Sequence, residues 1–266
     1  MIKNSFCKIN LNLSVINRRL DGFHSIESVI YPINGIFDTI QMDHAAQFSF
    51  RTSGIVVDCP VQDNLCVKAY RLMVDRYGVG PVSLSLHKRI PFGAGLGAGS
   101  ANAVAVLGLT NELFALNLSQ VELRSLAAEL GSDTAFFVDF VPTLVRGRGE
   151  VLEPISVNLS GYYIYMVKPN EGVSTGAAYR LVTPHEPLVR PAQAIARPVN
   201  EWREVCVNDF QEPIVHQIPL LGSLADSLYA AGAVYAAMSG SGSTVYGIFE
   251  KQPQLEYPYF SHCQRL

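Results

Sequence analysis

No run in this chain approaches the roughly eighteen uninterrupted apolar residues that a membrane-spanning helix needs, so none is expected. The N-terminal stretch MIKNSFCKINLNLSV lacks the apolar core of a secretion signal and the Arg/Ser bias of a transit peptide. Cysteine is sparse. Cys7, Cys59, Cys66, Cys206 and Cys263 form an odd, scattered set without a C-x-x-C pair, which speaks against a disulfide frame or a zinc site. They read as reduced thiols, and the expected compartment is the cytoplasm. The histidines contain no H-E-x-x-H. No basic cluster exceeds Arg18-Arg19 or Lys88-Arg89 and the net charge is −3, so no nucleic-acid partner is expected.

What is present is globular: 266 residues, 48% apolar and 16% charged. A chain of that length buries about three quarters of its unfolded surface without staples. It fits one large domain or two modest ones. We draw the boundary between 1–152 and 153–266, after the turn RGRGE at Arg146–Glu150. No fixed-period repeat is visible.

Along the chain, Phe6–Val15 alternates as a strand, with Cys7, Ile9, Leu11, Leu13 and Val15 on one face and Lys8, Asn10, Asn12 and Ser14 on the other. The simplest reading makes the polar face the wet side of an antiparallel sheet; the alternative is a substrate wall carrying one cation. Asn64 opens a helix that Gly78 stops. VSLSLHKRI (Val82–Ile90) alternates again, and a helix follows Ser100, with Val104, Leu107 and Phe114 at helical spacing. Ser119 and Glu122 form a capping box for a helix ended by Gly131. Gly161–Pro169 reads as a strand, 184–198 as a loop with short helical pieces, and Leu221–Ala231 as a helix. AVYAAMSGSGSTVYGIFE then gives strand, glycine turn and strand.

The stretch IPFGAGLGAGSANAVAVLGL, from Ile90 to Leu109, holds Gly93, Gly95, Gly97 and Gly99 before turning apolar. No Gly-Lys-Ser/Thr follows and no register gives G-x-G-x-x-G, so both common phosphate fingerprints fail. An anion site on backbone N–H groups at a helix start and a tightly packed connection are about equally good readings. Asp133 reads either as an N-cap of a short helical turn or as a carboxylate held ionised for chemistry. Phe23, His24 and Tyr179 each read singly as packing or surface rings.

Several pieces in order resemble the GHMP kinase superfamily. PFGAGLGAGSANA resembles its phosphate motif P-x-G-x-G-L-G-G-G-S-S-N-A, and SGSGSTVYGIF its C-terminal glycine motif. The N-terminal CKINLNLSVINRRLDGFHSIESVIYPINGIFDTI resembles the branch acting on a cytidylyl-linked methylerythritol, with K-I-N-L, R-R-x-D-G-[YF]-H and D-T-I. NLCVKAYRLM, ELGSDTAFF and RGRGEVLEPI add N-L-x-x-K-A, L-G-x-D and G-x-G-E. The likeness spans residue 7 to about 250.

The resemblance implies an α+β, two-domain GHMP kinase fold, with an N-terminal ribosomal-protein-domain-2-like βα domain and a C-terminal ferredoxin-like α/β sandwich. It implies ATP-dependent phosphorylation of the erythritol 2-hydroxyl in non-mevalonate isoprenoid synthesis. Another GHMP small-alcohol kinase and a non-catalytic ATP-binding regulator are the alternatives. Carried over residue by residue, Lys8 and Asp133 are catalytic. Pro91, Phe92, Gly93, Ala94, Gly95, Leu96, Gly97, Ala98, Gly99, Ser100, Ala101 and Asn64 serve ATP. Phe23 and Tyr179 sandwich the cytosine, His24 hydrogen-bonds it, and Asn10 and Gly240 help hold the substrate. The resemblance implies ATP as co-substrate and no dedicated protein ligand for Mg²⁺, which rides on the phosphates and water. No membrane partner and a monomer or weak homodimer complete the expectation. Ala98 stands where the motif has Gly, which requires a negative φ there, and Ala101 stands where it has Ser. Thr134-Ala135 replaces Val-Pro after the aspartate.

Overall fold

In the computed structural model, residues 1–57 and 59–266 are described. Contacts divide the chain into two compact units, each assembled from three stretches: Met1–Cys7, Ile36–Phe92 and Gly97–Val141 in the first, and Lys8–Gly35, Gly93–Leu96 and Pro142–Leu266 in the second. Two long strands, β1 (Ile2–Arg18) and β2 (His24–His44), contribute to both. Among the described residues no helix is long and apolar enough to cross a membrane.

In the first unit β2 pairs antiparallel with β4 (Val82–Lys88), which pairs parallel with β3 (Ser49–Gly54). The alternation of β4 comes out as read: Val82, Leu84, Leu86 and Lys88 are buried on one face. Helix α1 (Leu65–Tyr77) starts where Asn64 Oδ1 accepts the Cys66 N–H at 3.0 Å and stops at Gly78, left-handed at φ 63°. It packs on α2 (Ala98–Leu113), whose Ala103, Val106 and Leu107 are fully buried. The capping box forms as expected: Ser119 and Glu122 satisfy each other's backbone at the start of α3 (Gln120–Leu130). A short helix, α4 (Phe136–Asp139), ends the unit. Gly131 follows α3 with an extended backbone; a side chain there would press on Thr134 Oγ1 at 2.8 Å.

In the second unit β2 pairs with β5 (Thr143–Gly147), and β5 with β6 (Val151–Pro154). The sequence boundary at 152/153 therefore falls inside a paired strand. A second sheet runs β10-β7-β9-β8, all antiparallel, from β7 (Tyr163–Lys168), β8 (Tyr235–Met238), β9 (Val245–Phe249) and β10 (Phe260–Arg265). Between β7 and β8 come α5 (Thr175–Leu181), α6 (Pro191–Ile195), α7 (Trp202–Val205), α8 (Gln211–Gln217) and α9 (Pro219–Ala230). The core joins Leu13 and Val15 of β1 to Val167, Phe210, Ile214, Leu224, Leu228 and Met238.

The polar face of β1 corrects the sheet-surface reading. Lys8, Asn10, Asn12 and Ser14 are all buried, as are the apolar residues between them. Buried polar groups need partners, and the asparagines have them: Asn10 Nδ2 donates to Ser28 Oγ at 2.8 Å, and Asn12 Oδ1 accepts the Val29 N–H at 2.9 Å. The five cysteines are free thiols.

Candidate active site

In the second unit the glycine loop is tied to the start of β1. Gly93 and Gly95 have φ of 61° and 73°, where a side chain is strained. Lys8 N–H donates to Leu96 O at 3.0 Å, and Lys8 Nζ donates to Gly95 O at 2.7 Å and Asn10 Oδ1 at 2.5 Å. Ser239 Oγ donates to the same Gly95 carbonyl at 2.9 Å and accepts the Asn10 N–H at 3.1 Å. A side chain on Gly95 would collide with the Ser239 carbonyl oxygen. Gly240, also left-handed, lies so close that a Cβ would sit 3.1 Å from Asn10 Oδ1 and 3.4 Å from Lys8 Nζ. Lys8, Asn10, the loop and the C-terminal glycine motif thus form one cluster.

Two residues of this cluster carried no expectation. Ser239 lay inside the quoted motif, whose glycines alone drew notice. Asn208 holds the turn by donating to Met238 O at 2.7 Å and Gly240 O at 2.9 Å. A lone Asn in a loop gives no sequence signal for such a contact.

Also in this unit, Tyr179 stacks on His24 with ring centroids 4.9 Å apart and planes 15° from parallel, and meets Phe210 edge-on. Phe23 is 53% exposed, and the Arg148 guanidinium lies 4.8 Å above its ring. Among the described residues, then, Tyr179 stacks on His24 rather than on Phe23.

In the first unit, α2 begins at Ala98 rather than after Ser100. Gly97, at φ 66°, is its N-cap, so Ala98, Gly99 and Ser100 stand in its first turn, where N–H groups lack intrahelical partners and the helix dipole is positive, while the Ala101 N–H donates to Gly97 O at 3.0 Å. Ala98 has no positive φ, which meets the condition its methyl imposes. Pro91 is buried and Phe92 is 53% exposed at the loop's start. Ser100 Oγ donates to Asp133 Oδ1 at 2.9 Å. Asp133 is half-buried and does not cap α4, whose N-cap is Ala135 with no side-chain bond. That sets aside the N-cap reading. Asn64 caps α1, as described.

The second unit offers an ordered ammonium beside the glycine loop; the first offers backbone donors for an anion and a carboxylate held by a hydroxyl. Among the described residues no group of three or more His, Cys, Asp or Glu is placed to hold a metal ion.

Residues 64–139 match the family described as GHMP kinases N terminal domain, and residues 192–256 match GHMP kinases C terminal. The chain is 43% identical over 259 residues to 4-diphosphocytidyl-2-C-methyl-D-erythritol kinase of Bacteroides thetaiotaomicron, covering 96% of this chain and 94% of that one. It is 40% identical to the enzyme of that name from Cytophaga hutchinsonii, covering 99% and 98%. A crystal structure of 4-(cytidine 5'-diphospho)-2C-methyl-D-erythritol kinase superposes with a TM-score of 0.78 at 30% identity, covering 93% of this chain and 90% of that one. Mevalonate kinase of Methanococcus jannaschii shares the fold, with a TM-score of 0.70 at 11% identity. Fold and sequence agree over nearly the whole length, and the chain belongs to the 4-diphosphocytidyl-2-C-methyl-D-erythritol kinase family of the GHMP kinases.

Proposed function

We propose that this protein transfers the γ-phosphoryl group of ATP to the 2-hydroxyl of 4-diphosphocytidyl-2-C-methyl-D-erythritol, in the cytoplasm and as a monomer or weak homodimer. The observation that carries the reading is the cluster of Lys8, Asn10 and the left-handed glycine loop, built from motifs that the family shares. Phosphoryl transfer asks a protein mainly for positioning and charge stabilisation.

The residues divide that work. Backbone N–H groups between Phe92 and Ser100 receive the phosphates, the first turn of α2 adding its positive end. Lys8 neutralises charge that develops as phosphorus–oxygen bonds are exchanged. Its two acceptors hold the ammonium in one direction, so little reorganisation is needed when charge appears. Asp133 takes the proton from the substrate hydroxyl, its carboxylate oriented by Ser100. Mg²⁺ is counted with the nucleotide, where it would supply charge neutralisation on the phosphates.

For the cytosine, the exposed Phe23 ring is the stacking surface and His24 the hydrogen-bonding partner. Tyr179, stacked on His24, fixes the plane of that imidazole and closes the aromatic group. Arg148 must leave the face of Phe23 that the base takes. Asn10 and Gly240 keep room for the alcohol.

The test is release of ADP from purified protein with ATP, Mg²⁺ and the cytidylyl substrate, run beside mevalonate and homoserine. Turnover on the first alone is the expected result. Turnover on either of the others without the first overturns the assignment.

A further inference from the structure

Asp38, on β2, is fully buried and has no part in the chemistry described above. Its two carboxylate oxygens take four donors. Oδ1 accepts the backbone N–H groups of Arg89 at 2.7 Å and Ile90 at 2.9 Å. Oδ2 accepts Lys88 Nζ at 2.5 Å and Asn102 Nδ2 at 3.0 Å. Lys88 and Asn102 are themselves buried, at 3% and 2% exposure.

The placement of these donors is the informative part. Lys88, Arg89 and Ile90 are the last residues before the glycine loop, and Asn102 is the first residue after it. One carboxylate therefore fastens the chain where it leaves β4 and again where it has entered α2. The middle of the loop is held by buried Ala94 and Leu96 and by the bonds from Lys8 and Ser239 to its carbonyls, but its left-handed glycines at 93, 95 and 97 bring no side chains, so its geometry depends as well on where its ends are fixed. The Asn102 side chain reinforces the point: among the described residues its Oδ1 is buried without a partner, so the bond to Asp38 is the contact that orients it.

We propose that Asp38 is a positioning residue for ATP, a single carboxylate that clamps both ends of the phosphate loop and so sets the spacing of its N–H donors. A purely structural ion pair needs one partner. Here charge-assisted bonds run to two backbone amides at one end and a side chain at the other, and such bonds are the stronger kind. Removing the charge should loosen the loop more than the rest of the unit. The inference rests on the assignment of Pro91–Ala101 to ATP given above.

The experiment is titration calorimetry of ATP binding in the absence of the alcohol, with steady-state kinetics and thermal melting alongside, on the full chain, Asp38→Asn and Asn102→Ala. The expected result is a tenfold or greater rise in Kd and KM for ATP in Asp38→Asn. Asn102→Ala, which cuts only the helix arm, should raise both about threefold to tenfold. KM for the alcohol should stay within twofold in each. A folded Asp38→Asn that binds ATP within twofold of the parent overturns the proposal. If Asp38→Asn fails to fold, Asn102→Ala decides in the same way: ATP binding within twofold of the parent overturns it. A parent protein that binds no ATP sinks the loop assignment, and the clamp with it. A parent that binds ATP but does not turn over the cytidylyl substrate sinks only the substrate assignment.

Discussion

The Lys8 ammonium donates to the Asn10 side-chain oxygen over 2.5 Å, between neighbours on one face of a buried strand. A lysine usually spreads its charge over many rotamers. This one is held by Asn10 and by the Gly95 carbonyl, so its charge sits against the glycine loop before any ligand arrives.

Lys8→Met should lower kcat by about 10²- to 10³-fold, the scale seen when one charge-stabilising donor is removed from a preorganised site. Asn10→Ala should do less, because Gly95 still orients the ammonium. The ADP-release rate at saturating substrates checks both. Equal rates for Lys8→Met and the parent would remove Lys8 from the mechanism.

Asp133→Asn should abolish base function, a loss of about 10²- to 10⁴-fold, and leave the thermal midpoint nearly unchanged. The side chain is half-buried and caps no helix, so its structural contribution is small. Ser100→Ala should cost less in rate, since it removes only the hydroxyl that orients the carboxylate. A melting curve that drops while the rate holds would return Asp133 to a purely structural part.

Much of this was legible in local signals. Asn64, Gly78, Ser119 and Glu122 act within one turn of their own helices, so caps and stops fell where the sequence put them. Helix α2 starts three residues before the expected position because glycine at its N-cap gives no side-chain signal. β10 and the short helices α7 and α8 passed unread, being too brief to show a period. The site was legible only in part for a different reason. Ser239 meets Asn10 across 229 residues and Asn208 meets Gly240 across 32, and no window along the chain contains such pairs. Lys8 could be singled out only through its motif, because alternation alone could not say that the polar face of β1 would be covered.

Gly95→Ala should inactivate the enzyme. The left-handed backbone costs an alanine about 1–2 kcal/mol, and the added methyl would collide with the Ser239 carbonyl. Gly93→Ala, equally left-handed but with open space around its Cβ, should bear only the backbone cost. ATP affinity and thermal midpoint of the two variants, compared side by side, separate strain from collision.

Burial pushes the Cys66 and Cys206 thiols up to about 12. At pH 8 the reactive thiolate is then only about one part in ten thousand, so iodoacetamide should spare both until the protein is denatured. The same shift carries a stability sign. The folded pKa lies above the unfolded value near 8.5, so each contribution is intact below that pH and is lost between about pH 8.5 and 12. Tyr235 and Tyr246, also raised by burial, act in the same direction. Replacing Cys66 and Cys206 by alanine should flatten the alkaline limb of the stability curve, measured by denaturant melts from pH 8 to 11.

From Lys8 to Val15, β1 has no residue facing water on either side. Most strands have a solvent side on which substitutions go unnoticed. Here one set of alternate positions fills the core while the other orders polar partners, the Lys8 ammonium among them. Over generations, then, this strand has almost nowhere to drift: a change at any position is felt either by packing or by the polar network. Divergence between relatives should collect elsewhere, and β1 should be among the last segments to blur.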